Sequence, residues 1–165
     1  ESTVLDLSGA TPVILRPGGV TKEQLEQVTG KPVRYAAPFA SAEETPRAPG
    51  MKYTHYAPEA PVYICTGTPE EAAEKISHQL KPHKGKAGVM LSAETLRLLK
   101  NKDENLVVNL GSRSDLKQIT SSLFAALRYF DNSDVEAIYT ESFPTEEIGA
   151  ALMNRLQKAA GSKKI

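Results

Sequence analysis

From residue 61 onward the chain alternates four times between a short apolar run and a helical pattern, and nothing else in the sequence restricts its fold as much. The apolar runs are residues 62–65, 87–91, 106–110 and 135–139. Each precedes apolar residues at helical spacing: Ala72, Ala73, Ile76 and Leu80; Leu96 and Leu99; Leu116, Ile119, Leu123, Leu127 and Phe130; Ile148, Ala151, Leu152 and Leu156. A strand that returns through a helix lies parallel to its predecessor, so the alternation predicts a parallel sheet covered by helices. Near-continuous apolar strands predict burial on both faces. The expectation for residues 61–165 is an α/β fold, a Rossmann-like parallel sheet with helices on both faces. Local signals set the boundaries. Thr68 and Glu71 form a capping-box pattern with Pro69 at the first helical position. Ser92 opens a short helix to Lys100, Ser114 and Thr145 are the expected caps of the last two helices, and Gly161 ends the chain's final helix.

The first 60 residues read differently. Residues 2–7 and 12–16 are strand-like, and the short 8–11 connection suits an antiparallel pair. Pro17-Gly18-Gly19 ends the second strand. Thr21 is the expected cap of a short helix, with Gln24 at the capping-box position, Leu25 and Val28 as its apolar stripe, and Gly30 closing it. Two strands and one helix cannot enclose a core. Residues 1–30 are therefore expected to be the remnant of a larger sheet. Residues 31–60 hold Pro32, Pro38, Pro46, Pro49 and Pro58 and show neither period, which predicts an extended linker. Its end, Pro49-Gly50-Met51-Lys52-Tyr53-Thr54-His55-Tyr56-Ala57-Pro58, concentrates two tyrosines, a lysine and a histidine.

Several function classes are disfavoured. Lys and Arg number 20 and Asp and Glu number 20, so the chain carries no general electrostatic footprint for nucleic acid or an anionic membrane. No apolar stretch approaches the ~18 residues of a membrane span, and no signal segment is expected. One cysteine, Cys65, cannot bridge within the chain and fits a reducing, cytoplasmic setting. Its apolar run marks it as a buried small hydrophobe rather than a nucleophile. Neither the dinucleotide glycine fingerprint nor a P-loop occurs. Gly67, just before a capped helix, could admit an anion, though a tight turn is the commoner use. Gly111, Ser112 and Arg113 could bind phosphate or carboxylate, but Asp115 in the next turn favours a capped loop with an exposed arginine. His55, His78 and His83 lack metal spacing, and His78 and His83 are expected in solvent at a helix end. Arg155 is expected to be structural, paired with an acid such as Glu141 or with a neighbouring domain.

Three runs together resemble one family. Residues 1–7 and Leu15-Arg16-Pro17-Gly18-Gly19-Val20-Thr21 are similar to the end of a YrdC-type domain. The 49–58 run resembles the linker signature of the long, YwlC-type threonylcarbamoyl-AMP synthases, and residues 148–160 resemble their C-terminal signature. The resemblance implies three parts: residues 1–30 as the C-terminal remnant of the YrdC-like catalytic domain, 31–60 as a linker over the active site, and 61–165 as the Rossmann-like C-terminal domain. It implies condensation of L-threonine, bicarbonate and ATP to threonylcarbamoyl-AMP and pyrophosphate. A transferase complex then passes the threonylcarbamoyl group to tRNA. ATP, with Mg, would be a substrate, and no tightly bound cofactor or protein-held metal is implied.

By the same resemblance Ser2 lies against the bound threonine. Arg16 contacts the nucleotide, as does Tyr53 or Tyr56, and Lys52 and His55 belong to the linker over the site. A hydroxyl suits threonine's polar groups, and a guanidinium suits phosphate oxygens. The family's lysine–arginine pair and Ser-x-Asn motif, which lie upstream of the Ser2-Thr3-Val4 strand, are not in this chain. No catalytic residue is therefore assigned here, and the chain by itself is expected to be inactive. The alternative is a non-catalytic regulatory or partner-docking α/β module.

Overall fold

The computed structural model describes residues 2–37, 45–49, 51, 57–161 and 163–165. Residues 57–165 contain the expected parallel sheet. Its strands are β4 (Val62–Cys65), β5 (Ala87–Leu91), β6 (Leu106–Asn109) and β7 (Ala137–Glu141). The order is β4-β7-β5-β6 and every pairing is parallel. Val89 lies level with Tyr139 on one side and Val107 on the other. The two central strands, β5 and β7, are buried at every residue, as helix cover on both faces requires.

The helices divide between the faces. α2 (Pro69–Leu80) and α3 (Ala93–Leu98) pack Ala72, Ile76, Leu80 and Leu96 against Cys65, Val89, Leu91 and Tyr139. α4 (Leu116–Asp131) and α5 (Ile148–Ala160) pack Ile119, Leu123, Phe130, Leu152 and Leu156 against Val62, Ile64, Met90 and Ile138. Gly88 makes the second layer fit, because a Cβ there would stand 2.6 Å from the Phe130 ring. The tail, which the sequence did not mark as a strand, bridges β4 in parallel at Ile64 and Lys164. Ile64 N–H donates to the Lys163 carbonyl, and Ile165 N–H donates to the Ile64 carbonyl.

Helix starts follow side-chain chemistry closely, with two corrections. Thr68 accepts from Glu71 N–H while the Glu71 carboxylate accepts from Thr68 N–H, completing the box. Ser92 caps α3, which stops at Leu98. Asp115 rather than Ser114 caps α4, its carboxylate accepting from Gln118 N–H at 3.0 Å. A carboxylate facing a helix N-terminus also complements the dipole, which a serine does not. Thr145 does not cap α5. The helix begins at Ile148 after Glu147, and a turn bond from Gly149 N–H to the Glu146 carbonyl occupies the place of the cap.

Residues 2–37 form a separate small sheet. β1 (Val4–Asp6) and β2 (Val13–Arg16) are antiparallel, as expected. β3 (Arg34–Tyr35) joins β2 in parallel, within the stretch read as linker. α1 (Lys22–Thr29) has its complete Thr21–Gln24 box and a left-handed Gly30. It buries no residue, and Val28 is 85% exposed. Of the Leu25–Val28 stripe, Leu25 is partly buried and Val28 is left bare among the described residues.

Candidate functional site

Arg16 ends β2, and its guanidinium holds two separate pieces of chain. Nε and Nη2 donate to the Ser2 carbonyl at 3.3 and 3.1 Å, and Nη1 donates to the Pro49 carbonyl at 3.1 Å. A guanidinium has five N–H donors, so two are without a partner among the described residues. The structure thus brings together Arg16 and Ser2, two residues singled out in the sequence, at the edge where β1 begins. Ser2 is exposed. Lys52, Tyr53, His55 and Tyr56 lie outside the described residues.

The residues beside Pro49 are also tied to this sheet. Arg47 forms an ion pair with Asp6 of β1, and Ala48 between the two anchor points is buried. The other Asp6 oxygen accepts from Ser8 N–H at 2.9 Å and Ser8 Oγ at 2.7 Å, which fixes the carboxylate. On the other flank Thr3 Oγ1 donates to the Val20 carbonyl and accepts from Val20 N–H, binding the Pro17-Gly18-Gly19 turn to β1. Asp6, Arg47 and Thr3 were missed in the sequence because their partners lie 17 to 41 positions away with no shared motif.

A second polar cluster sits at the carboxyl ends of β5, β6 and β7. Open α/β sheets commonly bind ligands there, but here the groups bind each other. Glu141, 1% exposed, accepts from Ser92 N–H at 2.7 Å, Thr95 Oγ1 at 2.8 Å and the Arg113 guanidinium. Arg113 also donates to the Ser142 carbonyl and lies over the Phe143 ring. Its side chain is mostly buried, which corrects the expectation of an exposed arginine; the carboxylate it binds is the chain's own. Glu94 accepts from Ser112 Oγ at 2.6 Å and Arg113 N–H at 2.9 Å. These bonds, the Ser112 hydroxyl foremost, pull the Glu94 pKa down to about 2.

The remaining sequence candidates fall into structural roles. The Gly67 turn is occupied by Glu71, whose carboxylate would stand 2.3 Å from a Cβ at that glycine. His83 is not in solvent: it is largely buried, hydrogen-bonded to Tyr139 Oη at 2.9 Å and 3.6 Å from the Glu136 carboxylate. His78 is exposed, as expected. Cys65 is fully buried and burial raises its thiol pKa to about 11, which removes it as a nucleophile at neutral pH. Arg155 lies over the Phe124 ring. Among the described residues no group of three His, Cys, Asp or Glu side chains could hold a metal, and no helix is long and apolar enough to cross a membrane.

Comparison with known proteins places this geometry in context. Residues 20–161 match the family described as threonylcarbamoyl-AMP synthase, C-terminal domain. A threonylcarbamoyl-AMP synthase of Bacillus subtilis is 42% identical over 168 residues, covering 100% of this chain and 46% of that protein. One from Pyrococcus abyssi is 38% identical, covering 98% of this chain and 46% of that protein. Among solved structures, P. abyssi Sua5 complexed with L-threonine superposes with a TM-score of 0.83 at 36% identity, covering 100% of this chain and 47% of that one. A variant of the same protein, with an adjacent histidine and tyrosine both changed to alanine, superposes equally well. The chain spans about half the length of the curated relatives it matches.

Proposed function

This chain belongs to the threonylcarbamoyl-AMP synthase family, and from that premise we propose that it serves as the C-terminal part of an L-threonylcarbamoyladenylate synthase. The longer protein condenses L-threonine, bicarbonate and ATP, with Mg accompanying the nucleotide, to threonylcarbamoyl-AMP and pyrophosphate. The product goes to a tRNA threonylcarbamoyl-transfer complex in the cytoplasm. The observation that carries this reading is the end-to-end match, 42% identical over the whole chain, to a protein of that name.

Within this segment the site lies at the β1–β2 edge. The two N–H groups that Arg16 keeps beyond Ser2 and Pro49 suit nucleotide phosphate oxygens, which form charge-assisted, geometrically specific bonds with a guanidinium. Ser2, adjacent to it, offers a hydroxyl to L-threonine. Tyr53 or Tyr56 contacts the nucleotide, and Lys52 and His55 complete the linker over the site. His55-Tyr56 is this sequence's one adjacent histidine–tyrosine pair, the kind of pair replaced in the P. abyssi variant. A cover of this type keeps water from a labile carbamate and mixed anhydride.

Residues 61–165 act as an accessory domain. At its strand ends Arg113 pairs with Glu141, and the Glu71 carboxylate lies against the Gly67 turn. Catalysis by positioning and charge stabilisation needs the rest of the phosphate clamp. The 165-residue chain alone should therefore yield no threonine-dependent pyrophosphate, whereas the longer protein carrying it should turn over. Release of pyrophosphate and adenylate by the chain alone would overturn the assignment.

A further inference from the structure

The geometry points to Asp6 and Arg47 as a latch that sets the linker on the site without touching substrate. This inference rests on the functional reading above, because it gives those two residues a positioning role in the same reaction. Residues 47–49 meet the small sheet at two points. Arg47 is paired with Asp6 on β1, and the Pro49 carbonyl accepts from Arg16 on β2. Ala48 is buried between them, so the segment has one face toward the sheet. The Asp6 carboxylate is only 15% exposed and is oriented by Ser8 through its other oxygen, while Arg47 is 57% exposed. The acid is thus a fixed post and the arginine a releasable arm.

The second anchor is Arg16, the side chain assigned to the nucleotide. One guanidinium then senses both the linker, through Pro49, and the phosphates. Fixing Arg47 holds Pro49 where Arg16 can reach it, and so pre-forms the guanidinium's orientation toward its ligand. Positioning of this kind affects the chemical step when reacting groups must be held in register.

Trypsin reads the latch directly, since it must capture the Arg47 side chain to cleave after it. Using the 165-residue chain and mass spectrometry to identify the cleaved bond, Asp6→Asn should speed cleavage after Arg47 about three- to five-fold, the range a half-exposed ion pair supports. Asp6→Glu should restore the slow rate, and added salt should accelerate wild type more than Asp6→Asn. In the longer protein, Asp6→Asn should lower kcat for threonylcarbamoyl-AMP formation with little change in KM for threonine, and with an unchanged melting temperature. Cleavage unaffected by Asp6→Asn overturns the latch whatever the longer protein does. Faster cleavage with unchanged kcat overturns the coupling and leaves the functional reading standing. A wild-type longer protein with no turnover overturns the functional reading and the coupling with it, while cleavage still decides the latch.

Discussion

Residues 2–37 and 57–165 are built from the same kinds of local signal yet differ in what holds them. Both contain a complete Thr capping box, Thr21–Gln24 in one and Thr68–Glu71 in the other. α2 buries five residues against a four-stranded sheet, whereas α1 buries none. Of the six exposed large apolar side chains among the described residues, Leu7, Val20, Val28 and Tyr35 lie in the smaller region and Leu98 and Tyr129 in the larger. A cap decides where a helix starts; packing of an apolar face decides whether that helix contributes to a core. Both apolar core clusters lie in the larger region, whereas the smaller buries few side chains, Ile14 and Val33 among them.

The comparison breaks most visibly at Arg113. Replacing it with methionine keeps the stem over Phe143 but leaves Glu141 as an uncompensated buried charge. Breaking a buried pair in this way costs about 3–5 kcal/mol. Thermal unfolding of the lobe, followed by circular dichroism, should shift down accordingly, and the double variant Arg113→Met/Glu141→Gln should recover most of the loss. Arg16→Met, at the partly exposed clasp of the smaller region, should leave that transition where it is. Equal shifts from the two single variants would mean that the regions unfold as one unit and that their separation is false.

A smaller effect in the larger region is read by pH. Glu94 has its pKa lowered from 4.5 to about 2 by Ser112 and the Arg113 amide. A depressed folded value means that its stabilisation is complete above the unfolded pKa and is lost as pH falls through the folded one. Lobe stability should therefore decline between about pH 4.5 and pH 2 through this group. Glu94→Gln should flatten that part of the profile. A profile identical to wild type would show that the Glu94–Ser112–Arg113 bonds contribute nothing to folding.

What the sequence made legible was whatever is local. Strand–helix alternation and the two Thr boxes gave the parallel sheet and the starts of α1 and α2, because period and cap chemistry act over a few residues. The four-strand order did not follow, since nothing in the β7 run says that it inserts between β4 and β5. That insertion creates the Glu141 cluster, whose partners Ser92, Thr95 and Arg113 are 28 to 49 positions away. The same distance hid His83 beside Tyr139 and Asp6 beside Arg47. Arg34–Tyr35 escaped notice because two residues carry no readable alternation, and their register is set by β2. Ser2 and Arg16 were assigned by resemblance rather than by spacing, and their juxtaposition is the part of the candidate site that the described residues contain.

The smallest expected effect sharpens the comparison furthest. Val28 is 85% exposed, so Val28→Ser removes almost no buried apolar area from this chain. A surface change of that kind stays within about 0.5 kcal/mol, and the chain's melting temperature should not move. If the proposed longer protein packs against α1, Val28 is the side chain it would cover. Burying a valine fully is worth about 1.5–3 kcal/mol, so the same substitution should destabilise the longer protein by a measurable fraction of that amount. A null effect in both proteins would make Val28 a surface residue everywhere, and the bare face of α1 would then say nothing about what the smaller sheet packs against. A loss confined to the longer protein would show that α1 packs against residues beyond this chain, through a side chain whose packing in the shorter chain is negligible.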